Sequence, residues 1–438
     1  MAKIMIMTPS HSAGGGVERI LEDVQRTLHQ AGHDVWLALP RSRLSDPADF
    51  LALHDTGLAV VEVPVEATTR GSRIRQLSAF LRRESPDLLI NARVFDLYPA
   101  VAALKNGHSS APRMISMIYS YEAALLWDLR GWSAVIDGVA VDAKLIADAA
   151  SDLAGYPTER IERLPGPVQA PHRLRSPRKK KIRIGYVGRL QQRQKRVLDI
   201  LPFMAQLDRL GIDYEMTIAG SGTAEGELRE RLALEHSRNV HFLGWQSREQ
   251  LYGSVYPELD ILVHFAEWEG VTIAPREAMA HGVVPVISRF TALEHEGFFR
   301  DGQNALVFDP GDVERAAAHV RALDDDGRFL EELSAAAVES RRGIYSSEGV
   351  FSLWCEFVDR ILDLPIRAAP AEQLPDLPSS GRLQALGIPD RVAEWLRNVT
   401  RWKNTIRRPS DEWPHTSGTA PHEWSERLHR FALGEGNR

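Results

Sequence analysis

Residues 269–282 read Glu-Gly-Val-Thr-Ile-Ala-Pro-Arg-Glu-Ala-Met-Ala-His-Gly and place two carboxylates eight positions apart. Mostly apolar runs at 259–265 and 283–287 flank this stretch, and both are typical of buried strands. The order strand, glycine-containing loop, helix, strand predicts an α/β protein with a nucleotide site at the carboxyl ends of parallel strands. Pro275 suits the first helical turn. We expect Glu277 to lie beside free backbone N–H groups that can face a phosphate, where it could accept hydrogen bonds from ribose hydroxyls.

These residues resemble the Glu-x7-Glu motif of retaining glycosyltransferases with the GT-B fold, in particular those of family four. That family commonly reads Glu-Gly-Phe-Gly, then apolar residues, then Glu-Ala-Met-Ala-x-Gly-x-Pro-Val. The chain departs from it at Pro275 and Arg276 and at Val271 and Thr272, and it keeps Glu269, Gly270, Glu277, Ala278, Met279, Ala280, Gly282, Pro285 and Val286. A pair of glutamates alone would indicate two surface residues flanking a core helix, but this context favours the family. The resemblance implies an α/β protein of GT-B fold, with two Rossmann-like domains facing a central cleft.

The composition agrees with a soluble globular protein. The chain has 438 residues, 44% hydrophobic and 26% charged, with a net charge of -6 that does not suggest a nucleic-acid binder. The one cysteine, Cys355, excludes an internal disulfide framework and fits a reducing compartment. No apolar run reaches the roughly 18 to 20 residues needed to span a bilayer, and residues 1–7 read as a strand rather than a secretion signal. We expect a cytoplasmic protein.

Alternating strand and helix patterns divide the chain into two α/β units. The first opens with a strand at 3–7, a glycine-rich turn at 12–16 and a helical pattern from 17 to about 30. The alternation breaks near 165–167, and a second unit opens with a buried strand at 182–187. The pattern itself therefore predicts two Rossmann-like domains in tandem.

We place the domain boundaries at these breaks in the pattern. Residues 1–172 form the predicted acceptor-side domain, and residues 173–345 form the predicted nucleotide-sugar domain. By the resemblance, a helix at 346–364 crosses back to the first domain. Residues 365–438 are a predicted linker and helical tail outside the family pattern.

Two cations follow the first strand of the second unit. Breaking a glycosyl–diphosphate bond leaves negative charge, which a transferase must neutralise with a metal or with fixed cations and helix dipoles. Arg189 and Lys195 lie in the loop after the strand at 182–187, and the loop resembles the family's Gly-Arg-Leu…Lys signature. The resemblance gives both residues the diphosphate role; the alternative is that they are solvated loop charges. No Asp-x-Asp pair ends a strand convincingly, so we expect no metal and no cofactor beyond a UDP- or GDP-sugar donor.

Short glycine turns complete the predicted donor site. Gly220 and Gly222 end a strand, and in the family the matching turn lines the nucleotide pocket. Trp245 could stack on the base or belong to the core. By resemblance Glu269 contacts hydroxyls of the donor sugar, and the donor site also includes Gly270, Val271, Thr272 and Glu277.

The first domain contributes a glycine loop by the same resemblance. Gly15 and Gly16 match the family's Gly-Gly-x-Glu loop, in which backbone amides approach the donor phosphate or sugar. Glu18 completes this match, and its alternative role is that of a first-turn carboxylate that offsets the helix dipole.

One departure concerns the histidine that many relatives place after a central first-domain strand, close to the reacting sugar. The corresponding strand here is predicted at 114–118, and no histidine follows it directly. Either Tyr119, Tyr121 or Glu122 serves the sugar, or catalysis is weak. The nearest histidines elsewhere are His108 and His11.

Two segments could meet a membrane or a partner. Residues 70–83 are basic and amphipathic, which fits an ordinary Rossmann helix or a face for anionic lipid. The tail has an apolar stripe at helical spacing, with arginines mostly elsewhere on the helix: Val392, Trp395, Val399, Trp402 and Ile406. Docking on the protein's own domain or on a partner is favoured over membrane contact for this stripe. Trp413 and Trp424 have no interpretation from the sequence.

The resemblance implies a retaining glycosyltransferase, of hexosyltransferase type. It would move a sugar from a nucleotide-diphosphate donor to a hydroxyl acceptor in glycan or lipid-linked glycan synthesis. It would work in the cytoplasm or at the inner membrane face. A catalytically inactive, transferase-like partner or scaffolding subunit is the main alternative, and a sugar-nucleotide epimerase is a lesser one.

Overall fold

In the computed structural model, the described residues are 1–9, 16–41, 46–53, 57–65, 69–106, 111–235, 239–270, 272–340, 346–368, 370–375, 387–400 and 420–435. They form two parallel β-sheets covered by helices, followed by two C-terminal helices. The predicted fold class, two Rossmann-like domains with a C-terminal helical tail, is confirmed.

The first sheet contains seven parallel strands within the described residues, in the order β3-β2-β1-β4-β5-β6-β7. They are β1 (Lys3–Met7), β2 (Asp34–Pro40), β3 (Val60–Val63), β4 (Leu88–Asn91), β5 (Arg113–Ile118), β6 (Gly138–Val141) and β7 (Ile161–Arg163). Apolar clusters cover both faces, as parallel sheets require. The strand order reverses between β1 and β4, which is where open α/β sheets form a ligand crevice.

The second sheet contains six parallel strands within the described residues, in the order β10-β9-β8-β11-β12-β13. They are β8 (Ile182–Val187), β9 (Tyr214–Ala219), β10 (Val240–Gly244), β11 (Ile261–His264), β12 (Val284–Ser288) and β13 (Leu306–Phe308). Here the order reverses between β8 and β11. The loops that follow these two strands carry Arg189, Lys195 and Glu269.

The helices connect the strands and cover the sheets. They are α1 (Gly16–Gln30), α2 (Pro47–Leu53), α3 (Arg70–Glu84), α4 (Leu97–Lys105), α5 (Ala123–Trp132), α6 (Lys144–Asp148), α7 (Gln192–Lys195), α8 (Ile200–Arg209), α9 (Glu225–Glu235), α10 (Arg248–Gln250), α11 (Ile273–Ala280), α12 (Leu293–Glu296), α13 (Val313–Asp325), α14 (Gly327–Glu339), α15 (Ser347–Asp363), α16 (Asp390–Thr400) and α17 (His422–Ala432). Short π and 3₁₀ segments lie at Ala149–Leu153, Thr158–Arg160, Val197–Asp199, Leu251–Val255, Tyr256–Glu258 and Ala371–Gln373.

Helix α15 packs on the first sheet although it follows the second one in sequence. Its Trp354 and Phe357 are buried in one cluster with Ile4, Ile6 and other first-sheet residues. The contact is close, because Ile361 would lie 2.8 Å from a Cβ placed on Gly138 of β6. The chain therefore returns to its first domain before the tail begins.

The two tail helices pack in different ways. Helix α16 contacts α3, with Ala393 fully buried, while Val392, Trp395 and Val399 are exposed. The stripe predicted from the sequence thus lies away from the protein at these three positions, and Trp402 and Ile406 lie outside the described residues. Helix α17 instead buries Trp424 and Leu428 in the first-domain core. No helix in the described ranges is long and apolar enough to cross a bilayer.

Candidate active site

A cleft of about 580 Å³ lies between the two domains, and both domains line it. The predicted site residues along it are Gly16, Arg189, Lys195, Gly220, Gly222, Glu269, Thr272 and Glu277. Gly15 and Val271 lie outside the described residues, as do His11 and His108. The structure therefore brings together, in one cleft, predicted residues that are more than 200 positions apart in the sequence.

The loops after β8, β9 and β10 run side by side and are joined through their backbones. Gly188 N–H donates to Ala219 O (3.0 Å), Leu190 N–H to Ser221 O (2.9 Å), and Gly220 N–H to Gly244 O (2.7 Å). A Cβ at Gly220 would lie 1.9 Å from the oxygen of Gly188, and both Gly220 and Gly222 have positive φ. Glycine is needed here because the neighbouring loop leaves no room for a side chain.

An ion pair links the β8 and β11 loops inside the cleft. Lys195 Nζ donates a hydrogen bond to Glu269 Oε1, and the two side chains are 16% and 11% exposed. Arg189 Nη2 donates to Gln194 Oε1 (3.0 Å), and Gln194 Nε2 donates to the oxygen of Trp268 (3.1 Å). Two cations and a carboxylate are thus held in fixed positions by side chains and backbone of the same two loops.

His264, the last residue of β11, lies next to this ion pair. Its Nε2 is 3.7 Å from Glu269 Oε1, and its Nδ1 has no hydrogen-bond partner among the described residues. Burial, assisted by the positive charge of Lys195, holds the pKa of His264 well below its ordinary value of 6.5. The imidazole is therefore neutral at neutral pH and lines the cleft beside Glu269.

Glu277 lies deeper than the sequence indicated. Helix α11 begins at Ile273, so Glu277 is its fifth residue and directly follows the four residues whose backbone N–H groups have no intrahelical partner. Its carboxylate instead accepts hydrogen bonds from Tyr256 Oη (2.7 Å) and Tyr252 Oη (3.4 Å). Its contact with ribose hydroxyls of a donor stays a prediction, and the structure adds the two tyrosine hydroxyls that hold its carboxylate.

Thr272 lies at the amino end of α11, next to its free backbone N–H groups. It is the N-cap residue and is 4% exposed, yet its hydroxyl makes no side-chain cap. Its Oγ1 has no hydrogen-bond partner among the described residues. A ligand oxygen in the cleft could therefore meet a hydroxyl and the positive end of a helix together.

The first-domain wall of the cleft holds both charged and polar groups. Tyr119, Ser120, Glu122 and Arg93 line it, and Arg93 Nη2 donates to Glu122 Oε1 (3.1 Å). Arg93 has a φ of 75°, a strained value for a residue with a side chain. Of the three residues proposed to replace a histidine, Glu122 and Tyr119 line the cleft. The hydroxyl of the third, Tyr121, is directed to Leu428 O in the tail.

Asp142 was not identified from the sequence. It follows β6, is 5% exposed, lines the cleft and lies against Gly270, where a Cβ would be 2.3 Å from its Oδ2. This contact brings a first-domain carboxylate to the Glu269-Gly270 turn. Asp142 could have been found from the sequence as a charged residue directly after a short buried strand. His264 could have been found in a similar way, because it is a polar residue at the end of a strand.

Side chains from both domains hold the cleft together. Arg248 donates two hydrogen bonds to Asp23, at 2.9 and 2.7 Å, and Arg19 Nη2 donates to the oxygen of Gln246 (2.6 Å). The Arg19 guanidinium also lies 5.9 Å from the ring of Trp245, which is half-buried and lines the cleft. Trp245 is therefore available to a ligand rather than enclosed in the core.

Comparisons with known proteins agree on the family. The model of "Glycosyl transferases group 1" matches residues 171–340, and the model of "Glycosyltransferase Family 4" matches residues 14–170. Together the two models cover most of the chain. No curated protein matches it.

Solved structures share the fold at low sequence identity. The lipopolysaccharide outer core galactosyltransferase WaaB is 19% identical, with a TM-score of 0.61 over 82% of this chain and 99% of its own. HepE from Anabaena, solved with UDP-glucose, is 14% identical, with a TM-score of 0.66 over 82% and 100%. The sucrose-phosphate synthase of Thermosynechococcus elongatus is 14% identical, with a TM-score of 0.68 over 82% and 99%.

Proposed function

Since the chain belongs to the GT-B glycosyltransferases of the group 1, family 4 type, we propose that it transfers a hexose from a nucleotide-diphosphate sugar to a hydroxyl acceptor, with retention at the anomeric carbon. The observation that carries the proposal is the cleft set of Arg189, Lys195 and Glu269. A protein that used this cleft only for packing would have no need to hold two cations and a carboxylate there.

The cations would neutralise the leaving group. As the bond between the anomeric carbon and the diphosphate oxygen breaks, negative charge develops on the diphosphate. Arg189 and Lys195 would face it, together with the Thr272 hydroxyl and the amino end of α11. In this proposal no metal is required, and Glu269 would bind hydroxyls of the sugar while it stays paired with Lys195.

Retention fits transfer on one face of the sugar. The acceptor oxygen would bond to the anomeric carbon from the side that the diphosphate leaves, and the acceptor proton would pass to a diphosphate oxygen. The first-domain groups Asp142, Ser120 and Glu122 would then border the acceptor side. Asp142, which is buried beside the Glu269-Gly270 turn, would stabilise positive charge on the sugar ring.

We propose a UDP-sugar rather than a GDP-sugar as the donor. The support is that HepE, which shares the fold, was solved with UDP and with UDP-glucose. The glycine turns at Gly220 and Gly222 and the half-buried Trp245 would surround the nucleotide.

The binding experiment is thermal stabilisation by UDP-, GDP-, ADP- and dTDP-sugars, with and without EDTA. We expect stabilisation by UDP-sugars that survives chelation and is lost in Arg189→Ala and Lys195→Met. The matched control is Lys179→Met, since Lys179 is an exposed lysine paired with Glu258 outside the cleft. The absence of stabilisation by every donor would contradict the proposal and favour the inactive partner subunit.

We also propose that the acceptor is a glycan or lipid-linked glycan reached at the inner face of a membrane. The support is the exposed apolar face of α16, formed by Val392, Trp395 and Val399. The neighbouring helix α3 presents Arg82 and Arg83 to solvent. Exposed tryptophan beside arginine suits the interface of an anionic bilayer.

Vesicle flotation tests the membrane proposal. Anionic phosphatidylglycerol vesicles should float the protein and neutral phosphatidylcholine vesicles should not. Trp395→Ala with Val399→Ala should abolish flotation, whereas Leu243→Ala, at an exposed leucine of the second domain, should leave it unchanged. Equal flotation with and without the α16 substitutions would contradict this surface.

A further inference from the structure

The C-terminal helix α17 lies beyond residue 340, where the family match ends, yet it is built into the first-domain core. Trp424 and Leu428 are 4% and 3% exposed. The Trp424 ring lies 5.4 Å from that of Trp127, and the Arg130 guanidinium lies 5.4 Å from the Trp424 ring. The tryptophan that had no interpretation from the sequence is thus the anchor of α17 on α5.

Two hydrogen bonds link α17 to the short loop at 119–122 and to the first residue of α5. Trp424 Nε1 donates to the oxygen of Ala123 (3.0 Å), and Tyr121 Oη donates to the oxygen of Leu428 (2.7 Å). Glu122 lies between these two contacts and Ser120 directly precedes Tyr121, and both of these residues line the cleft. Burial raises the pKa of the Tyr121 phenol, so the hydroxyl remains a donor at any physiological pH.

The other end of α17 reaches the second domain. His295 Nε2, on α12, lies 3.0 Å from the oxygen of Ala432. The next residue, Glu296, pairs with Arg163 of the first domain at 3.5 Å and accepts a hydrogen bond from the backbone N–H of Lys144. Helix α17 therefore contacts both domains, and it does so beside an existing interdomain contact.

From this geometry we propose that α17 is a strap that fixes the acceptor-side loop 119–122, with Tyr121 and Trp424 as positioning residues. The inference rests on the proposed function for its catalytic consequence. The four-residue loop is held from the first domain by Arg93, which donates to the Glu122 carboxylate, and by the Tyr119 hydroxyl, which donates to the oxygen of Leu164. Further contacts from α17 reduce the alternative conformations that remain to it. The strap supplies one hydrogen bond at Tyr121 and another at Ala123, on either side of Glu122, so this side chain is held in place before an acceptor arrives.

Tyr121→Phe is the principal test because it removes one hydroxyl and leaves the ring. Hydrogen exchange measured by mass spectrometry should accelerate about fivefold in peptides covering 119–129, as expected for the loss of one hydrogen bond. Trp424→Phe should act in the same way through Ala123. The matched control is Trp395→Ala, in the other tail helix, which should leave these peptides unchanged. Unchanged exchange in both strap variants would overturn the proposal.

A second readout separates positioning from general destabilisation. Hydrolysis of UDP-glucose should show a kcat at least fivefold lower in Tyr121→Phe, with KM and the affinity for UDP unchanged within twofold. Faster exchange with an unchanged kcat, or a parallel loss of UDP affinity, would overturn the positioning role. If the wild-type protein neither binds nor hydrolyses any nucleotide-sugar donor, the proposed function fails. The hydrogen-exchange rates of peptides 119–129 then decide by themselves whether α17 holds the loop.

Discussion

Lys195 donates a hydrogen bond to Glu269 across two loops that follow strands β8 and β11. The pair lies at the point where the strand order of the second sheet reverses, and it faces Asp142 and the 119–122 loop of the first domain through the same cleft. In the proposed mechanism, the cation that would face the diphosphate is thus already paired with the carboxylate that would bind the sugar.

Glu269→Gln and Lys195→Met should each lower kcat by about 100-fold or more, because each removes a charge that acts on the transition state. The double variant should lose little more than either single one, since the two groups act as a unit. Steady-state release of UDP from a UDP-sugar measures this, with Lys179→Met as the matched surface control. Full additivity of the two losses would show that the residues act independently.

His264 should make the protein less stable in acid. Its pKa is held well below 6.5 by burial and by Lys195, so below about pH 6.5 the unfolded chain takes up a proton that the folded chain refuses. The contribution to stability is therefore fully present above this pH and is lost as the pH falls. Between pH 7.5 and 5.5 the loss should be on the order of 1 kcal/mol.

Urea unfolding of His264→Asn at these two pH values checks the sign. On acidification this variant should lose less stability than the wild-type protein, by on the order of 1 kcal/mol. His172→Asn, at an exposed histidine, should behave as the wild-type protein does. An identical acid loss in His264→Asn and the wild-type protein would show that His264 is not held neutral.

Gly222→Ala should destabilise the nucleotide loop. Its φ is positive, and an added Cβ would lie 2.5 Å from the oxygen of Leu190, so a neighbouring backbone must move. We expect a loss of about 2 kcal/mol or more, together with weaker UDP binding. The control is Gly226→Ala, in helix α9, where an added Cβ meets nothing within 4 Å. Gly226→Ala should leave the stability of the protein unchanged or raise it by up to about 1 kcal/mol. An equal effect of the two substitutions would show that the close approach of Leu190 does not require glycine at position 222.

The Arg248–Asp23 contact should favour closure of the two domains. Arg248→Met removes two interdomain hydrogen bonds and leaves the nearly buried Asp23 without this partner. We expect a larger radius of gyration in solution scattering and a donor KM several-fold higher, because closure must now be driven by the ligand. Arg229→Met, which breaks an exposed pair within one helix, is the control. A radius of gyration equal to that of the wild-type protein would argue against a closing role.

The first strand of the second domain could be predicted because it is buried along its whole length. The strand at 182–187 has the predicted bounds, since a mostly apolar run between polar segments leaves little choice of limits. The environment of Glu277 could not be predicted in the same way. Its partners Tyr252 and Tyr256 come from consecutive π and 3₁₀ segments, which have no clear periodic signal.

The tail shows a second limit of sequence patterns. An apolar stripe predicted docking, but α16 packs on α3 through Ala393 and leaves Trp395 exposed. Trp424 is buried by Trp127, almost 300 residues earlier in the chain. Periodicity describes which residues share a helix face, but not which face finds a complementary surface elsewhere in the protein.

The central claim is a retaining transfer that depends on the Lys195–Glu269 pair, and time-resolved proton NMR of a UDP-α-hexose with the purified enzyme tests it directly. We predict consumption of the donor with an α-configured sugar as the first product, in the presence of EDTA, and about 100-fold slower consumption in Glu269→Gln. A β-configured first product, or equal rates for the wild-type and Glu269→Gln proteins, would contradict the account.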